Sequence, residues 1–418
     1  MSDETKLQNS TPRRLEIRKR VEPIFVLGII TTFSISLLLA AAQAAPPANK
    51  ETARMVGLRG LSEEELASLG LRSTGIPGIF RHVRPPANFD PVGASDVELA
   101  RYGFPSRPPD THSVRYRQWK TTFSRPLRFA DRPLSTGDKN RLRSIHPRPR
   151  PIMQTYTFNP NWSGMLNGNP TGTVFNNGVP NGPVAFGSPS AITDIRAIMT
   201  CPNVDGSNPN RVTNVAEWIG IDGYDNLGVN DGLIQAGISV ESPGPLTGGF
   251  SYGPFSTVIS SNSSESTGGV MDMHPPITVN PGDAVLVDIT PMFDFSFPFG
   301  GGSEAAQSYF FLDLTTGDAD SYVMDQSTPL IINYALADWI VEDPGGQIFG
   351  TGTPSTVSMA HYGNLFMWDA YATLTSPAGS FIYPGTGTLT PLYFTDSNGN
   401  VISTVSVLGK DTLMFFQP

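Results

Sequence analysis

The stretch DAVLVDIT, residues 283–290, alternates without a break. Val285, Val287 and Ile289 fall on one side of an extended chain, and Ala284, Leu286 and Asp288 on the other. A period of two belongs to a β-strand with one face buried. The same alternation separates Phe366, Trp368 and Ala370 from Met367, Asp369 and Tyr371 in NLFMWDAYATL (364–374). Working outward, further strands are expected at AITDIRAIMT (191–200), VAEWIGI (215–221), GLIQAGISV (232–240), SYFFLDLTT (308–316), INYALADWIVE (332–342), LTPLYFTD (389–396) and VISTVSVL (401–408). Each is bounded by Gly, Asn, Asp or Pro. In DSNGN (396–400), Asn398-Gly399 suits a type I′ hairpin turn. Nine such strands without a helical run predict an all-β fold, a two-layer antiparallel β-sandwich.

Composition agrees. The 418 residues include 42 Gly and 38 Pro, and only 16% are charged, which disfavours long solvent-laced helices. Charge is divided along the chain. Residues 1–150 hold 25 Lys/Arg against 14 Asp/Glu, a net of +11; residues 151–418 hold 3 against 23, a net of −20. The second part lacks the cations that a nucleic-acid partner needs, so nucleic acid is excluded there. One cysteine, Cys201, excludes an intrachain disulfide framework and a multi-Cys metal site, and five histidines leave little for a His cluster. No cofactor or metal is expected.

The N-terminus carries an address. RRLEIRKR (13–20) is basic, residues 24–42 are uncharged and rich in Leu, Ile and Phe, and Ala42-Gln43-Ala44 has the A-x-A form of a signal-peptidase site. Residues 1–45 read as a signal peptide, or as a signal anchor if uncleaved, and the product as secreted. Membrane contact is expected only through residues 24–42. Residues 46–151 are basic, Pro-rich and expected to be mostly irregular, apart from a helix at LSEEELASLGL (61–71), where Ser62 and Glu65 form a capping box. They suit either a disordered linker or a prosegment laid across the acidic part in cis. SIHPRPRP (144–151) reads as an exposed linker. Residues 152–418 are the sandwich domain, expected to be a monomer.

Several local motifs carry little. GFSYG (249–253) has the G-x-S-x-G form, but Pro254 follows at once where a nucleophile elbow needs a helix, so a Gly/Ser turn is expected. DGYDNLGVNDG (222–232) lacks the spacing of a calcium loop. Cys201 reads as a small buried hydrophobe. Two strands are harder to explain. Gln235 interrupts an otherwise apolar strand, and Asp338, Ile340 and Glu342 share one face of the strand ending in WIVED.

With these, NWSG (161–164), EWIGIDG (217–223), LIQAG (233–237), ADWIVEDP (337–344) and FTDSNGNVISTVS (394–406) resemble the eqolisins, the glutamic peptidases. ITVNPGDAVLVDIT (277–290) and SYFFLDLTTG (308–317) match the same pattern. The resemblance implies a concanavalin-like sandwich, acid endopeptidase activity on polypeptides, and a catalytic dyad that falls on Gln235 and Glu342. Trp218 and Asp222 fall where that family lines its cleft. The family's aromatic strand is replaced by VMDMHPP (270–276), with Asp272 where the family has Glu. The residue types suit the chemistry. Hydrolysis of a peptide needs a base for water, a donor for the oxyanion and an acid for the leaving amine. Glu342 can serve as base and then acid, and the amide of Gln235 is a donor that does not titrate. The alternative left by the residues is a glycan-binding or glycan-hydrolysing sandwich, with Trp218, Trp339 and Trp368 as sugar platforms.

Overall fold

The computed structural model describes residues 58–136, 158–159, 162–168, 175–176, 179–180, 191–205, 213–222, 232–241, 250–259, 270–296, 303–330, 334, 336–343, 358–374, 380–386, 392–395 and 400–418. The expected signal segment, the linker 144–151, most of the Asp/Asn-rich turn and the Asn398-Gly399 turn lie outside them. The described residues belong to one compact unit. Residues 58–136 supply helices α1 (Glu63–Ser68), α2 (Asp96–Arg101) and α3 (Val114–Phe123). They also supply strands β1 (Leu71–Ser73), β2 (Ile79–His82), β3 (Arg128–Phe129) and β4 (Ser135–Thr136). There follow β5 (Phe158–Asn159), β6 (Trp162–Gly168), β7 (Phe175–Asn176), β8 (Val179–Pro180), β9 (Ile192–Thr200), β10 (Val204–Asp205), β11 (Thr213–Asp222), β12 (Leu233–Glu241) and β13 (Ser251–Ile259). Next come β14 (Val270–His274), β15 (Ala284–Ser296), β16 (Ser303–Asp313), β17 (Asp318–Leu330), β18 (Leu336–Glu342), β19 (Ser358–Met359) and β20 (His361–Tyr362). The chain ends with β21 (Leu365–Leu374), β22 (Phe381–Ile382), β23 (Tyr393–Thr395), β24 (Val401–Gly409) and β25 (Thr412–Phe416).

Two sheets dominate, and the pairs within them are mostly antiparallel, as the alternation predicted. The back sheet runs β1-β2-β17-β16-β15-β9-β21-β25-β24-β23-β5, with β22 on β21 and β3 on β17. The front sheet runs β4-β14-β13-β12-β11-β18-β6, with β19 on β11. All nine expected strands are present. Val285, Val287 and Ile289 of β15 join Ile195, Ala197 and Met199 of β9 in the core between the sheets. Ile219 and Ile221 of β11, Ile234 and Ile238 of β12 and Trp339 of β18 meet them from the front sheet.

The opposite face of β15 is not exposed, in contrast to the half-buried expectation: Leu286 is 0% and Asp288 2% exposed. The cause is the N-terminal segment, whose described part, although less than half of it is helix or strand, buries several side chains on the sheet. The side chains of Ala94, Leu99, Phe104, Trp119 and Phe123 pack on Ile198, Leu286, Phe310, Leu312 and Ala319 of the back sheet. The α1 capping box is as read, with Ser62 accepting from the Glu65 amide and Glu65 accepting from the Ser62 amide. Helix α3 was invisible to periodicity, because sheet contacts rather than a regular apolar stripe fix its buried residues, Arg115 among them. Strand β13 replaces the turn expected at GFSYG. Ser251 is its exposed first residue and pairs with Glu241 at the far end of β12. No elbow exists there, and Ser251→Ala is expected to retain near-full peptidase activity in a protein-digestion assay; a dead variant would revive a serine nucleophile.

Candidate active site

β11 lies in the middle of the front sheet between β12 and β18, and its register fixes what shares a row. Gly220 faces Gln235 of β12 on one side and Asp338 of β18 on the other. Continuing from Gln235, the same row runs through Thr257 of β13 to Asp272 of β14. Two residues along β11, Trp218 faces Gly237 and Ile340. Two further, Ala216 faces Glu342, which pairs with Trp162 of β6 on its other side. These positions share one face, since neighbours in a row and residues two apart in a strand point the same way. It is the face turned away from the inter-sheet core. Its apolar members, Trp162, Leu166, Ala216, Trp218, Leu233 and Phe255 among them, form a separate cluster.

The sequence therefore read the face correctly for Gln235 and Glu342. A dyad that shares one water would sit on neighbouring strands in one row, and the register does not put Gln235 and Glu342 there. β11 runs between them, and their rows are four residues apart. Two strand spacings and four residues of rise put their Cα atoms roughly 17 Å apart. Trp218 fills the interval. Its Nε1 donates to Glu342 Oε2 at 2.9 Å, and its ring edge lies over Gly220, where an added Cβ would stand 2.8 Å from Cζ3. Trp162, the register partner of Glu342 on β6, meets Trp218 edge to face at 5.0 Å. Trp162 was not singled out by sequence reasoning; the signal was NWSG within the family pattern, without the pairing that ties it to Glu342.

The face is closed rather than open as a cleft. Gln235 and Glu342 are each 1% exposed, and Trp218 and Asp338 0%. Glu342 Oε1, Gln235 Oε1 and both Asp338 oxygens have no hydrogen-bond partner among the described residues. Burial pushes the Glu342 carboxyl up to about 8, against the pull of the Trp218 indole, with Asp343 adding to the rise. Burial, with Asp222 nearby, holds Asp338 well above the carboxylate range. Glu342 is thus a neutral acid in this closed state in acid and at neutral pH. Close packing also constrains Gly237, where a Cβ would come within 2.0 Å of the Glu217 carbonyl oxygen.

The other expected site residues have visible structural duties. Asp222 adopts φ 64° and accepts from the amides of Tyr334 at 2.7 Å and Leu336 at 3.2 Å, clamping the start of β18. Asp272 accepts from Thr257 Oγ1 and pairs with His274 Nε2, each at 3.2 Å. Asp338, in the Gln235 row, was noticed in the sequence only as a face-mate of Glu342. Cys201 is buried, and burial raises its thiol, so it is no nucleophile.

The model of the Peptidase A4 family matches residues 180–415. The chain belongs to that family, the eqolisins, and is a glutamic endopeptidase acting on polypeptides. Two crystal structures of scytalido-glutamic peptidase, each with a transition-state analogue, align with TM-scores of 0.42 at 17% identity, covering 62% of this chain and 98% of theirs. A structure of the eqolisin SCP-B with the tripeptide Ala-Ile-His aligns at 0.39 and 16%, over the same shares. No match was found among curated protein sequences.

Proposed function

We propose that the protein is an exported acid endopeptidase, made in a latent form, that hydrolyses peptide bonds with Gln235 and Glu342. The observation that carries this reading is that both lie on one face of one sheet, with the Glu342 carboxyl held by the Trp218 indole. In the working state the Gln235 amide donates to the developing oxyanion. Glu342 takes a proton from the attacking water and passes it to the leaving nitrogen. Latency comes from closure: a polypeptide cannot reach groups that are 1% exposed. Entry of substrate displaces Trp218 and hydrates Glu342, in a rearrangement that must also bring the two groups from roughly 17 Å between their Cα atoms to within reach of one scissile bond. Hydration returns its pKa towards the ordinary value near 4.3, where a carboxylate base is available in mild acid. Export rests on the basic, apolar and A-x-A marks of residues 13–44. Trp218, Asp222 and Asp272 are assigned to the substrate cleft that opens.

A second reading rests on the register. Asp338 shares the Gln235 row, with their Cα atoms roughly 10 Å apart across Gly220. On that reading Asp338 is the acid that works with Gln235, and Glu342 supports Trp218. A glycosidase is disfavoured, since Asp338 and Glu342 stand four residues apart on one strand, whereas a retaining pair needs about 5–5.5 Å. The test is digestion of a denatured protein between pH 2 and pH 7 by the full chain, by Glu342→Gln and by Asp338→Asn. Cleavage in acid that is lost only with Glu342→Gln supports the first reading. Loss only with Asp338→Asn supports the second, and undiminished cleavage by both variants sinks the two together.

A further inference from the structure

The back sheet carries the N-terminal segment on the side away from the core, and the mode of attachment is informative. β2 extends the sheet by pairing with β17, from Tyr322 opposite Arg81 to Met324 opposite Ile79. β3 pairs with β17, and β4 caps the front sheet by pairing with β14 at Met273 and His274. Between these ladders, Trp119 and Phe123 are 0% and 1% exposed against Phe310 and Leu312. Leu58, Leu66, Leu71 and Phe80 bury against Ala306 and Val323. Two buried arginines of the segment close the interface. Arg81 pairs with Asp320 at 2.6 Å and donates to the carbonyls of Ala130 and Arg132. Arg115 pairs with Asp369 and, at 2.8 Å, with Asp411, under the ring of Tyr371. Asp369 in turn holds Arg196 of β9 at 2.7 Å. Without the segment, Asp320 would lose Arg81, and the outer face would expose Ile198, Leu286, Phe310, Leu312 and Val323.

We infer that residues 58–136 are a permanent part of the working enzyme, retained on the back sheet as a non-covalent chain after any cut between residues 137 and 157, rather than a released prosegment. The charge division between the two parts of the chain would suggest instead a latch of surface charge that lets go in acid. The contacts are mainly apolar, and apolar burial is not screened by salt or removed by protons. The buried titrations at the interface also oppose one another. His82 packs between the Arg101 carbonyl and Ser308 Oγ, and burial lowers it from 6.5 to about 4. Its neutral form is favoured when docked, so docking weakens as pH falls from 6.5 towards 4. Asp320 faces Arg81, with Arg84 and Tyr322 nearby, and burial outweighs those arginines to raise it from 3.8 to about 6. Its neutral form is favoured when docked, so docking strengthens as pH falls from 6 towards 3.8. Shifts of similar size and opposite sign leave a net change of about tenfold or less.

The test uses the full chain with a specific protease site replacing part of residues 144–150. After cleavage, gel filtration is run at pH 3, 5 and 7, with and without 1 M NaCl. The expected result is one-to-one co-elution of both pieces under all six conditions. A second protein, cleaved in the same way and carrying Trp119→Ala with Phe123→Ala, is expected to lose the segment at pH 5. Elution of the unsubstituted segment by itself in acid or in salt overturns retention, whether or not the remaining piece stays soluble. Release by salt but not by the double substitution shows that charge, not packing, holds it. Neither readout depends on which residues are catalytic.

Discussion

Glu342→Gln is expected to lower kcat/KM by about 10²–10⁴-fold while leaving the fold intact. The substitution is close to isosteric and keeps an oxygen to accept from Trp218 Nε1, which lies 2.9 Å from the acid. What it removes is the ability to take and return a proton. Because burial already makes the Glu342 acid neutral below about 8, a neutral amide costs the closed state little. The variant should therefore melt at or above the temperature of the unsubstituted protein at neutral pH. Gln235→Ala is expected to lower activity on the same scale by removing the oxyanion donor. A steady-state assay in mild acid, paired with a melting curve for each variant, separates chemistry from folding. Full activity in either variant would falsify its place in the dyad. A variant that is inactive and also unfolded leaves the decision to the other residue of the pair, which occupies a different strand.

The architecture was largely legible because nine apolar stretches lie between Gly, Asn, Asp or Pro breaks, two of them in clear alternation. The unread parts share one physical cause: their conformation depends on partners far away in sequence. Trp119 looks like one aromatic in a Pro-broken basic stretch until Phe310 and Leu312 are placed beneath it. Strand β13 begins in a Gly/Ser-rich stretch with Pro254 close behind, a weak strand signal that pairing with β12 overrides. At the site, residue types and faces were legible, since alternation alone decides them. Register was not. Whether Asp338 or Glu342 stands opposite Gln235 across β11 depends on loop lengths and on Gly220 and Gly237, and these leave no trace in a strand's own pattern. The closed state of the site face was equally hidden.

Stability should be greatest in acid and fall steeply towards neutral pH, against the common maximum between about pH 5 and 8. Three carboxyls with no cation beside them lead this; Asp288 and Asp194, also raised by burial, act alongside them next to Arg196. Glu342 is raised to about 8 and Asp338 well above the carboxylate range. The third, Glu217, lies on the core side of β11; it is 0% exposed, its oxygens have no partner among the described residues, and burial raises it well above its ordinary value. Each is raised in the folded state, so the fold binds its proton more tightly than the unfolded chain does. The stabilisation is therefore complete below the unfolded value of about 4.3 and drains away as pH climbs towards the folded value. Each group adds to the slope only inside its own window, which the direction of its shift places above its ordinary value. His82 works the other way between 6.5 and about 4, but it is a single group and Asp320, raised to about 6, offsets much of it. Local opening that lets water reach an acid caps its loss, so the slope should flatten once the site face yields. Urea melts of the full chain from pH 3 to pH 8 measure the curve directly. Glu217→Gln supplies the internal control: its neutral amide cannot ionise, so the slope should become shallower while stability at pH 3–4 changes far less. A flat profile to pH 7, or a Glu217→Gln profile parallel to that of the unsubstituted chain, would mean that these acids find partners or water in solution.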